Sequence, residues 1–332
     1  MRVETMEIEA GRRILAGQPV IQSAVNFSEG RRQEVVAAIA GAIRREPRAV
    51  LADCSADPDH NRMVATVLGP PQAAARAVLA AFAEAVARID LRQHRGAHPR
   101  IGAVDVIPLV PLRAVSMEEC VDLSRQLGEE IGRRFGVPVY LYERSAGPGR
   151  RASLPEIRNG GFEGLFLEPL EGSRAPDYGH AAPHPTAGAC VVGARGPLAA
   201  VNINIEGPLV AARRIASWIR ARRGVDDRVR GVRALGLALP SRGLSQVSMN
   251  LTEPERTPLP PLLDLIAGLA RDQGAAPAET EVVGLVPEVL LGGQSPQSLM
   301  WRDWHPAQIV ERWLEPPGAP IPWEAGQSAD SG

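Results

Sequence analysis

The segment from His94 to Arg100 holds the densest set of side chains that could carry out acid–base chemistry. Its two histidines, His94 and His98, are four residues apart, a spacing that would suit a metal ion on a helix. Gly96 and Pro99 disfavour a helix here, and spacing places no third metal ligand. A histidine on a turn before a buried strand meets a ligand from a fixed backbone. His98 is therefore a candidate acid or base, although a lone histidine is a weak signal.

Two polar turns could contribute to the same site. Residues 26–30 join a predicted strand to a predicted helix, and Ser28 lies where an N-cap residue would lie. The free backbone N–H groups of such a helix start favour an anion, but a simple capped turn has the same pattern. The second turn, residues 57–62, could equally be a solvated loop.

Amide side chains occur inside two predicted strands, in Asn202-Ile203-Asn204 and in residues 246–250. Amides on a strand need hydrogen-bond partners, and alternate residues of a strand point to one face. The polar residues of both strands could therefore line one shared cavity. An exposed sheet face would show the same alternation.

Composition limits the class of protein. The chain has 332 residues, of which 45% are hydrophobic and 23% charged, as in globular proteins. This length leaves room for one large or two ordinary domains. The net charge of -1 does not indicate a nucleic-acid-binding protein, which is usually strongly basic. All 37 basic residues are arginines, which excludes a lysine Schiff base.

Cysteine usage and the N-terminus indicate the compartment. Cys54, Cys120 and Cys190 lack metal-ligand spacing, and their odd number fits a reducing cytoplasm. Acidic residues interrupt the N-terminus, which is not the pattern of a signal peptide. No apolar run is long enough to span a bilayer. We therefore expect a cytoplasmic protein that does not bind membranes.

Hydrophobic periodicity predicts the elements that position these residues. In the first half it predicts a strand, a helix, two strands, a helix and a strand over 20–26, 31–45, 49–54, 62–68, 70–89 and 101–110. A helix over 116–135 follows, beginning at the capping box of Ser116 and Glu119, and then a strand over 137–142. Over 147–185 the regular pattern fades, and a long irregular stretch in a compact enzyme is often a binding loop.

The second half repeats this order of elements. After a strand over 188–194, the pattern predicts a strand, a helix, two strands, a helix and a strand over 198–205, 209–222, 232–239, 244–251, 258–272 and 280–286. This is the split βαβ, or ferredoxin-like, unit. We therefore predict an α/β (α+β) fold of two ferredoxin-like βαββαβ subdomains, with mixed sheets and helices on the outer faces. The predicted ranges are a loose N-terminal extension (1–19), the subdomains (20–197 and 198–314, with a short closing helix over 306–313) and a flexible tail (315–332).

Taken together, these segments resemble the formiminotransferase family. The segments that carry the resemblance are Asn26-Phe27-Ser28-Glu29-Gly30, Asp59-His60-Asn61-Arg62, His94-x-Gly96-x-His98-Pro99-Arg100-x-Gly102-Ala103-x-Asp105-Val106, Val137-Pro138-Val139-Tyr140-Leu141-Tyr142, Gly193-Ala194-Arg195, Asn202-Ile203-Asn204, Gln246-Val247-Ser248-Met249-Asn250-Leu251 and Val283-Gly284-Leu285-Val286-Pro287. They follow one another in order with few gaps. No single segment is diagnostic, but the ordered set is specific.

The resemblance implies a homodimer, with tetrahydrofolate as co-substrate in a cleft between the subdomains and with no metal. The catalytic histidine of the family is the second of the His-x-Gly-x-His pair, which is His98 here. The proposed folate segment of the family follows an Asp-Phe-Gly stretch, which is Asp177-Tyr178-Gly179 here. That segment corresponds to Gly179, His180, Ala181, Ala182, Pro183, His184, Pro185, Thr186, Ala187 and Gly188.

Three features depart from the family pattern. Val25 stands where the family usually has a proline, before the segment that starts at Asn26. His180 stands where a proline usually follows the Asp-Phe-Gly stretch, and the region after Pro287 is shortened. Because His180 puts a titratable ring into the folate segment, these departures bear on which amine the protein uses.

The implied reaction moves a formimidoyl group between a glutamate nitrogen and N5 of tetrahydrofolate. The departing amine leaves far better when it is protonated, and a histidine, with a usual pKa of about 6.5, can take and give that proton near neutral pH. The carboxylates of glutamate and of the folate tail need arginine partners. The substrate-binding candidates are Asn26, Arg62, Arg100, Arg195, Asn202 and Gln246.

Several alternatives stay open at this stage. Arg100 could pair with Asp105 or another acid and be purely structural. The chain could transfer a formimidoyl or formyl group to another amine, or cyclise 5-formyltetrahydrofolate. It could also bind folate without turnover.

Overall fold

The chain folds around two β-sheets, one of six strands and one of four. The structure is a computed structural model and describes residues 5–320. The chain divides into two units. The first is Ile14–Gly196, and the second holds the described residues from Pro197 onward together with the first helix as far as Arg13. None of the described helices is long and apolar enough to cross a membrane.

The helices differ widely in length. Those before the middle of the chain are α1 (Thr5–Leu15), α2 (Gln33–Arg44), α3 (Pro71–Arg88), α4 (Met117–Phe135), α5 (Leu154–Ile157) and α6 (Gly161–Gly164). Helix α4 begins at the predicted capping box, in which the Ser116 hydroxyl accepts from the Glu119 N–H (3.1 Å) and the Glu119 carboxylate accepts from the Ser116 N–H (2.7 Å). It ends at Gly136, whose φ of 62° suits glycine at a helix C-terminus.

The first sheet contains a ferredoxin-like core with two added strands. Its strands are β1 (Val20–Phe27), β2 (Val50–Asp57), β3 (Arg62–Gly69), β4 (Val104–Arg113), β5 (Val139–Leu141) and β6 (Cys190–Ala194). Their order is β2-β3-β1-β4-β6-β5. The first four are antiparallel to their neighbours, whereas β6 and β5 extend the sheet in parallel beyond β4.

The second sheet has the same core without added strands. Its elements are β7 (Ala199–Glu206), α7 (Leu209–Arg222), β8 (Val232–Leu239), β9 (Leu244–Leu251), α8 (Leu259–Arg271) and β10 (Ala276–Val283). The strands are all antiparallel, in the order β10-β7-β9-β8. On β7 the apolar residues Val201, Ile203 and Ile205 join the hydrophobic core. Both sheets confirm the predicted α/β fold with two βαββαβ units.

The N-terminal extension differs from its prediction. The sequence predicted a loose segment, but the structure has helix α1 with Ile8 and Arg12 fully buried. The Arg12 guanidinium donates to the carbonyls of Arg312 (2.6 Å) and Ala319 (2.7 Å) and pairs with Glu315. Part of the predicted flexible tail is therefore held by α1. The rest of that tail, 321–332, lies outside the described residues.

The C-terminal region and the irregular stretch also differ in detail from the sequence patterns. Instead of one closing helix over 306–313, a 3₁₀ turn over Pro306–Gln308 and the one-turn helix α9 (Glu311–Leu314) flank a bridge from Ile309 to Val286. Strand β10 lies earlier than the predicted 280–286. Within the irregular stretch, α5 and α6 are single turns that periodicity over a longer window does not reveal.

Candidate active site

Three loops meet where strands β3, β1 and β4 of the first sheet end or begin. Phe27 at the end of β1 pairs with Met63 on β3 and with Val104 on β4. The turn after β1, the turn before β3 and the segment before β4 therefore lie together. These loops contain residues 26–30, 57–62 and 94–100, the three polar segments that the sequence singled out.

Asn61 ties these loops to one another. Its backbone has a φ of 49°, a conformation that asparagine tolerates better than most residues. Its side-chain oxygen accepts from the Gly30 N–H (2.9 Å), and its side-chain nitrogen donates to the Arg95 carbonyl (3.0 Å). At Gly96, a Cβ atom would lie 2.2 Å from the His60 carbonyl oxygen, so only glycine fits there. The close packing fixes the backbone that carries His98.

His98 is neutral in this arrangement. Its Nδ1 donates to the Pro99 carbonyl (2.8 Å), which leaves Nε2 to accept a hydrogen bond from the Arg62 guanidinium. The His60 ring lies edge-on at 6.2 Å between ring centroids. Burial first, and then the positive charges of Arg62 and Arg158, hold the pKa of His98 well below its usual value.

The Arg62 guanidinium makes no ion pair with an acidic side chain among residues 5–320. Burial and the charge of Arg158 lower the pKa of Arg62 to about 9. Asp105 is the nearby acid, but it pairs with Arg158 and accepts from the Ile101 N–H (2.8 Å). Among residues 5–320, His98 is the only side chain or backbone group that hydrogen-bonds the Arg62 side chain, and the Arg62 Nε is buried without a partner. A carboxylate entering here would supply the missing countercharge.

His94 has a structural role. Its Nε2 donates to the Asn61 carbonyl (2.8 Å) and its Nδ1 accepts from the Arg100 Nε (2.9 Å). Both ring nitrogens are occupied, and burial lowers the pKa of His94. His94 therefore has no nitrogen left for a metal. The described part of the chain also contains no group of three or more His, Cys, Asp or Glu side chains that could hold a metal ion.

Arg100 pairs with an acid that the sequence did not identify. Its guanidinium makes two parallel bonds to Glu163, from Nη2 to Oε1 (2.9 Å) and from Nη1 to Oε2 (3.1 Å). It also lies 5.8 Å from the centre of the Phe162 ring. Asp105, the partner suggested by the sequence, is bound by Arg158 instead.

The turn after β1 is capped differently from the prediction. Helix α2 begins at Gln33, and Ser28 is not its N-cap; the Ser28 hydroxyl donates to the Gly102 carbonyl (2.7 Å). The Glu29 carboxylate accepts from the N–H groups of Arg31 and Arg32 (3.0 Å each). The predicted anion site at this helix start is therefore filled by a side chain of the same turn.

A small cavity lies where the loops meet, partly open to solvent. It is lined by Asn26, Phe27, Ser28, His60, Asn61, Arg62, His94, His98, Pro99, Arg100 and Asp105. Four candidates from the sequence are therefore brought together: Asn26, Arg62, His98 and Arg100. The Asn26 amide oxygen is buried without a hydrogen-bond partner in the described structure, so it can accept from a ligand. Arg195 is not among the lining residues; its N–H donates to the Leu109 carbonyl (3.0 Å).

Sequence reasoning missed Arg158, His60 and Glu163 as residues of the site. His60 lies within a segment that carried the family resemblance, but its role was not assigned. Arg158 and Glu163 lie in the irregular stretch, where no periodicity or motif marks them. Only the fold brings that stretch against the loop before β4, through a bond from the Phe162 N–H to the Arg100 carbonyl (2.9 Å).

The predicted folate segment, Gly179 to Gly188, borders the His98 loop. His184 and Gly188 exchange two backbone hydrogen bonds of 2.9 Å, which closes a turn. The Ala187 carbonyl accepts from the Ala103 N–H (2.9 Å), and the Thr186 carbonyl accepts from the Leu91 N–H (2.9 Å). These contacts flank the loop of His98 on both sides. At the other end of the segment, His180 is exposed.

Asn202 and Gln246 belong to the second unit, where they share a buried polar network. The Gln246 side-chain nitrogen donates to the Asn204 side-chain oxygen (2.9 Å) and to Glu281 (3.1 Å). Asn204 donates to Glu279 (2.6 Å). Arg302 pairs with both glutamates, at 3.3 Å and 3.1 Å. Asn202, Asn204 and Gln246 therefore lie buried on one polar face of the two strands, whereas Asn250 is exposed.

Comparisons with known proteins identify the family of the chain. A family model for the formiminotransferase domain, N-terminal subdomain, matches residues 20–195, and one for the formiminotransferase domain matches 200–294. The chain is 37% identical to glutamate formimidoyltransferase of Streptococcus pyogenes serotype M1, over 89% of this chain and 98% of that protein. It is 38% identical to glutamate formimidoyltransferase of Thermoplasma acidophilum, over 89% and 97%. It is 39% identical to formimidoyltransferase-cyclodeaminase of Sus scrofa, over 81% of this chain and 50% of that protein. The chain belongs to the formiminotransferase family.

Proposed function

We propose that the chain is a glutamate formimidoyltransferase, which moves a formimidoyl group between N-formimidoyl-L-glutamate and N5 of tetrahydrofolate with His98 as acid and base. The observation that carries the proposal is the contact of a neutral His98 with the Arg62 guanidinium, in a cavity that Arg100 also lines. A proton-transfer group thus lies beside arginines suited to carboxylates. The relatives named glutamate formimidoyltransferase support the same activity.

The transfer moves one proton between two nitrogens. N5 of tetrahydrofolate attacks the carbon of the protonated amidine; the π electrons of the C=N bond become the lone pair of the terminal NH₂ group, and N5 carries the positive charge in the tetrahedral intermediate. His98 takes the N5 proton and returns it to the glutamate nitrogen, whose bond to carbon then breaks as the NH₂ lone pair re-forms the C=N bond. L-Glutamate leaves, and the formimidoyl group remains on the folate. Such acid–base catalysis is worth roughly a hundred- to ten-thousandfold in rate.

Arg62 makes this proton transfer depend on the substrate. In the free protein Arg62 occupies Nε2, the His98 nitrogen that would have to accept the proton. A carboxylate binds a guanidinium more strongly than a neutral imidazole does. Once a substrate carboxylate pairs with Arg62, Nε2 is free and a nearby positive charge is neutralised. The proton affinity of His98 then rises when it is needed.

The first prediction concerns the titration of His98. In the free protein we expect its pKa to lie below the usual value, because burial and two arginines oppose the charged form. Replacing Arg62 by Gln removes one of those charges and should raise the pKa of His98 without reaching the usual value, since burial remains. Heteronuclear NMR titration, with His98→Asn to assign the signal, measures this shift. A wild-type His98 that titrates at or above about 6.5 contradicts the neutral resting state.

The second prediction separates His98 from His94. His98→Asn should lower kcat for N-formimidoyl-L-glutamate by at least about a hundredfold, the low end for lost acid–base catalysis, while tetrahydrofolate binding survives. His94→Ala should lower kcat much less, although it should lower the melting temperature because the buried ring bridges Asn61 and Arg100. Equal and severe losses at both positions, restored by added zinc, would favour a metal site and sink the acid–base assignment.

Gly179 to Gly188 is our candidate for the folate contact. Its support is the family resemblance together with its hydrogen bonds to Leu91 and Ala103, on either side of the His98 loop. The exposed stretch from His180 to Ala182 is free to meet a ligand. Folate bound here would lie close to the proton-transfer group.

The third prediction tests this segment. Tetrahydrofolate should slow amide hydrogen exchange in Gly179–Gly188, because a bound ligand shields the exposed backbone. The turn of residues 226–230 in the second unit, which also has exposed residues, provides an internal control and should not change. Protection elsewhere with an unchanged Gly179–Gly188 would move the folate site.

Other expectations stay predictions. A homodimer rests on the family resemblance alone, and a cytoplasmic location rests on composition. Arg195, Asn202 and Gln246 stay candidates for substrate contacts outside the cavity of His98. For the two carboxylates of a glutamate substrate, Arg62 and Arg100 are the better supported pair, because both line that cavity.

A further inference from the structure

The pairing of Arg100 with Glu163 joins two side chains of very different exposure. The Arg100 side chain is 15% exposed and lines the cavity of His98, whereas the Glu163 side chain is 64% exposed and does not line it. Both guanidinium Nη atoms of Arg100 point to the two Glu163 oxygens, in the bidentate geometry that Arg forms with any carboxylate. The side chain of a glutamate substrate carries the same carboxylate as Glu163.

The pair has good bidentate geometry, but little free energy is needed to separate its two side chains. Hydrogen bonding from Arg100 lowers the pKa of Glu163 to about 2, so Glu163 is ionised at neutral pH. When the pair opens, water solvates the freed Glu163 carboxylate well, because that side chain is 64% exposed, and an incoming carboxylate takes its place on Arg100. The other Arg100 contacts, to His94 and the Phe162 ring, do not involve Glu163. Arg100 therefore keeps its position if Glu163 swings away.

The backbone around Glu163 permits this exchange without any loop opening. The preceding Phe162 is anchored by its N–H to the Arg100 carbonyl (2.9 Å) and is itself buried. Gly160 and Gly161 both have positive φ, 82° and 65°, which sets the tight turn that aims Glu163 at Arg100. Rotation of one exposed side chain would suffice to vacate the guanidinium.

We propose that Glu163 is an internal competitor, which occupies Arg100 in the free protein and is displaced by a carboxylate of the substrate. The proposal deepens the proposed function and rests on it for the identity of the substrate as a glutamate derivative. Arg100 is then the residue that selects for the carboxylate, and Glu163 sets how tightly it is held. Substrates without that carboxylate cannot displace Glu163 and gain nothing from Arg100.

The test measures binding of L-glutamate by titration calorimetry, so it does not depend on turnover. Glu163→Gln removes the competing charge and should lower Kd by roughly two- to fivefold, because the displaced carboxylate is solvent-exposed and returns to water at little cost. Arg100→Gln should raise Kd at least about tenfold, as expected for a lost charge-assisted contact. Glu168→Gln is the matched control: Glu168 is 69% exposed, pairs with Arg174 in the same irregular stretch and does not line the cavity.

The outcomes discriminate clearly. A tighter Kd in folded Glu163→Gln, with an unchanged Kd in Glu168→Gln, supports the competitor. An unchanged or weaker Kd in Glu163→Gln, or an equal gain in both variants, overturns it and makes Glu163 a structural partner of Arg100. The absence of any L-glutamate binding overturns it as well. If the Kd values shift as expected but N-formimidoyl-L-glutamate is not turned over, the transfer reaction fails while the competitor stands.

Discussion

The structure of the site depends on one contact between a guanidinium and a neutral imidazole, that of Arg62 with His98. A cation beside a histidine disfavours the protonated ring, and here Arg158 adds to the effect. Asp105, the acid whose charge acts on Arg62, is occupied by Arg158 and the Ile101 N–H. The cavity is therefore deficient in negative charge. An anionic substrate corrects that deficiency and is the natural ligand for it.

The surrounding loops serve to hold this contact in place. The side-chain oxygen and nitrogen of Asn61 hydrogen-bond two different loops. His94 hydrogen-bonds the Asn61 carbonyl through one ring nitrogen and Arg100 through the other. Gly96 allows the backbones to approach within reach of those bonds. The polar residues around His98 are thus of two kinds. Some, such as His94 and Asn61, have their hydrogen bonds filled by the protein, while Arg62 and Asn26 retain unfilled ones.

Much of the fold could be predicted because it follows from local patterns. The alternation of apolar residues along strands such as β7 and the capping box at Ser116 are physical signals within a short window, and both predictions are confirmed. The segment before β4 was recognisable from its residues, and the structure places His98 and Arg100 on one cavity as a consequence of sheet order.

What could not be predicted involves contacts over long sequence distances. Helix α1 has an interrupted apolar pattern, and the hydrogen bonds of its buried residue Arg12 go to groups about three hundred positions later in the chain. The pairing of Arg100 with Glu163, in place of Asp105, depends on a one-turn helix in a stretch without periodicity. Ser28 had the residue type of an N-cap, but its hydroxyl found the Gly102 carbonyl instead. In each case the partner is set by tertiary packing and not by the neighbouring sequence.

We propose that this chain transfers a formimidoyl group from a glutamate derivative whose carboxylates are recognised by arginine. The most direct measurement compares kcat/KM of the purified protein for N-formimidoyl-L-glutamate and for formamidine, which has no carboxylate, with tetrahydrofolate as acceptor. We expect product on the folate and a preference for N-formimidoyl-L-glutamate of at least about a hundredfold, since two charge-assisted contacts are lost in the smaller amidine. Equal use of both amidines, or a preference for formamidine, would contradict it.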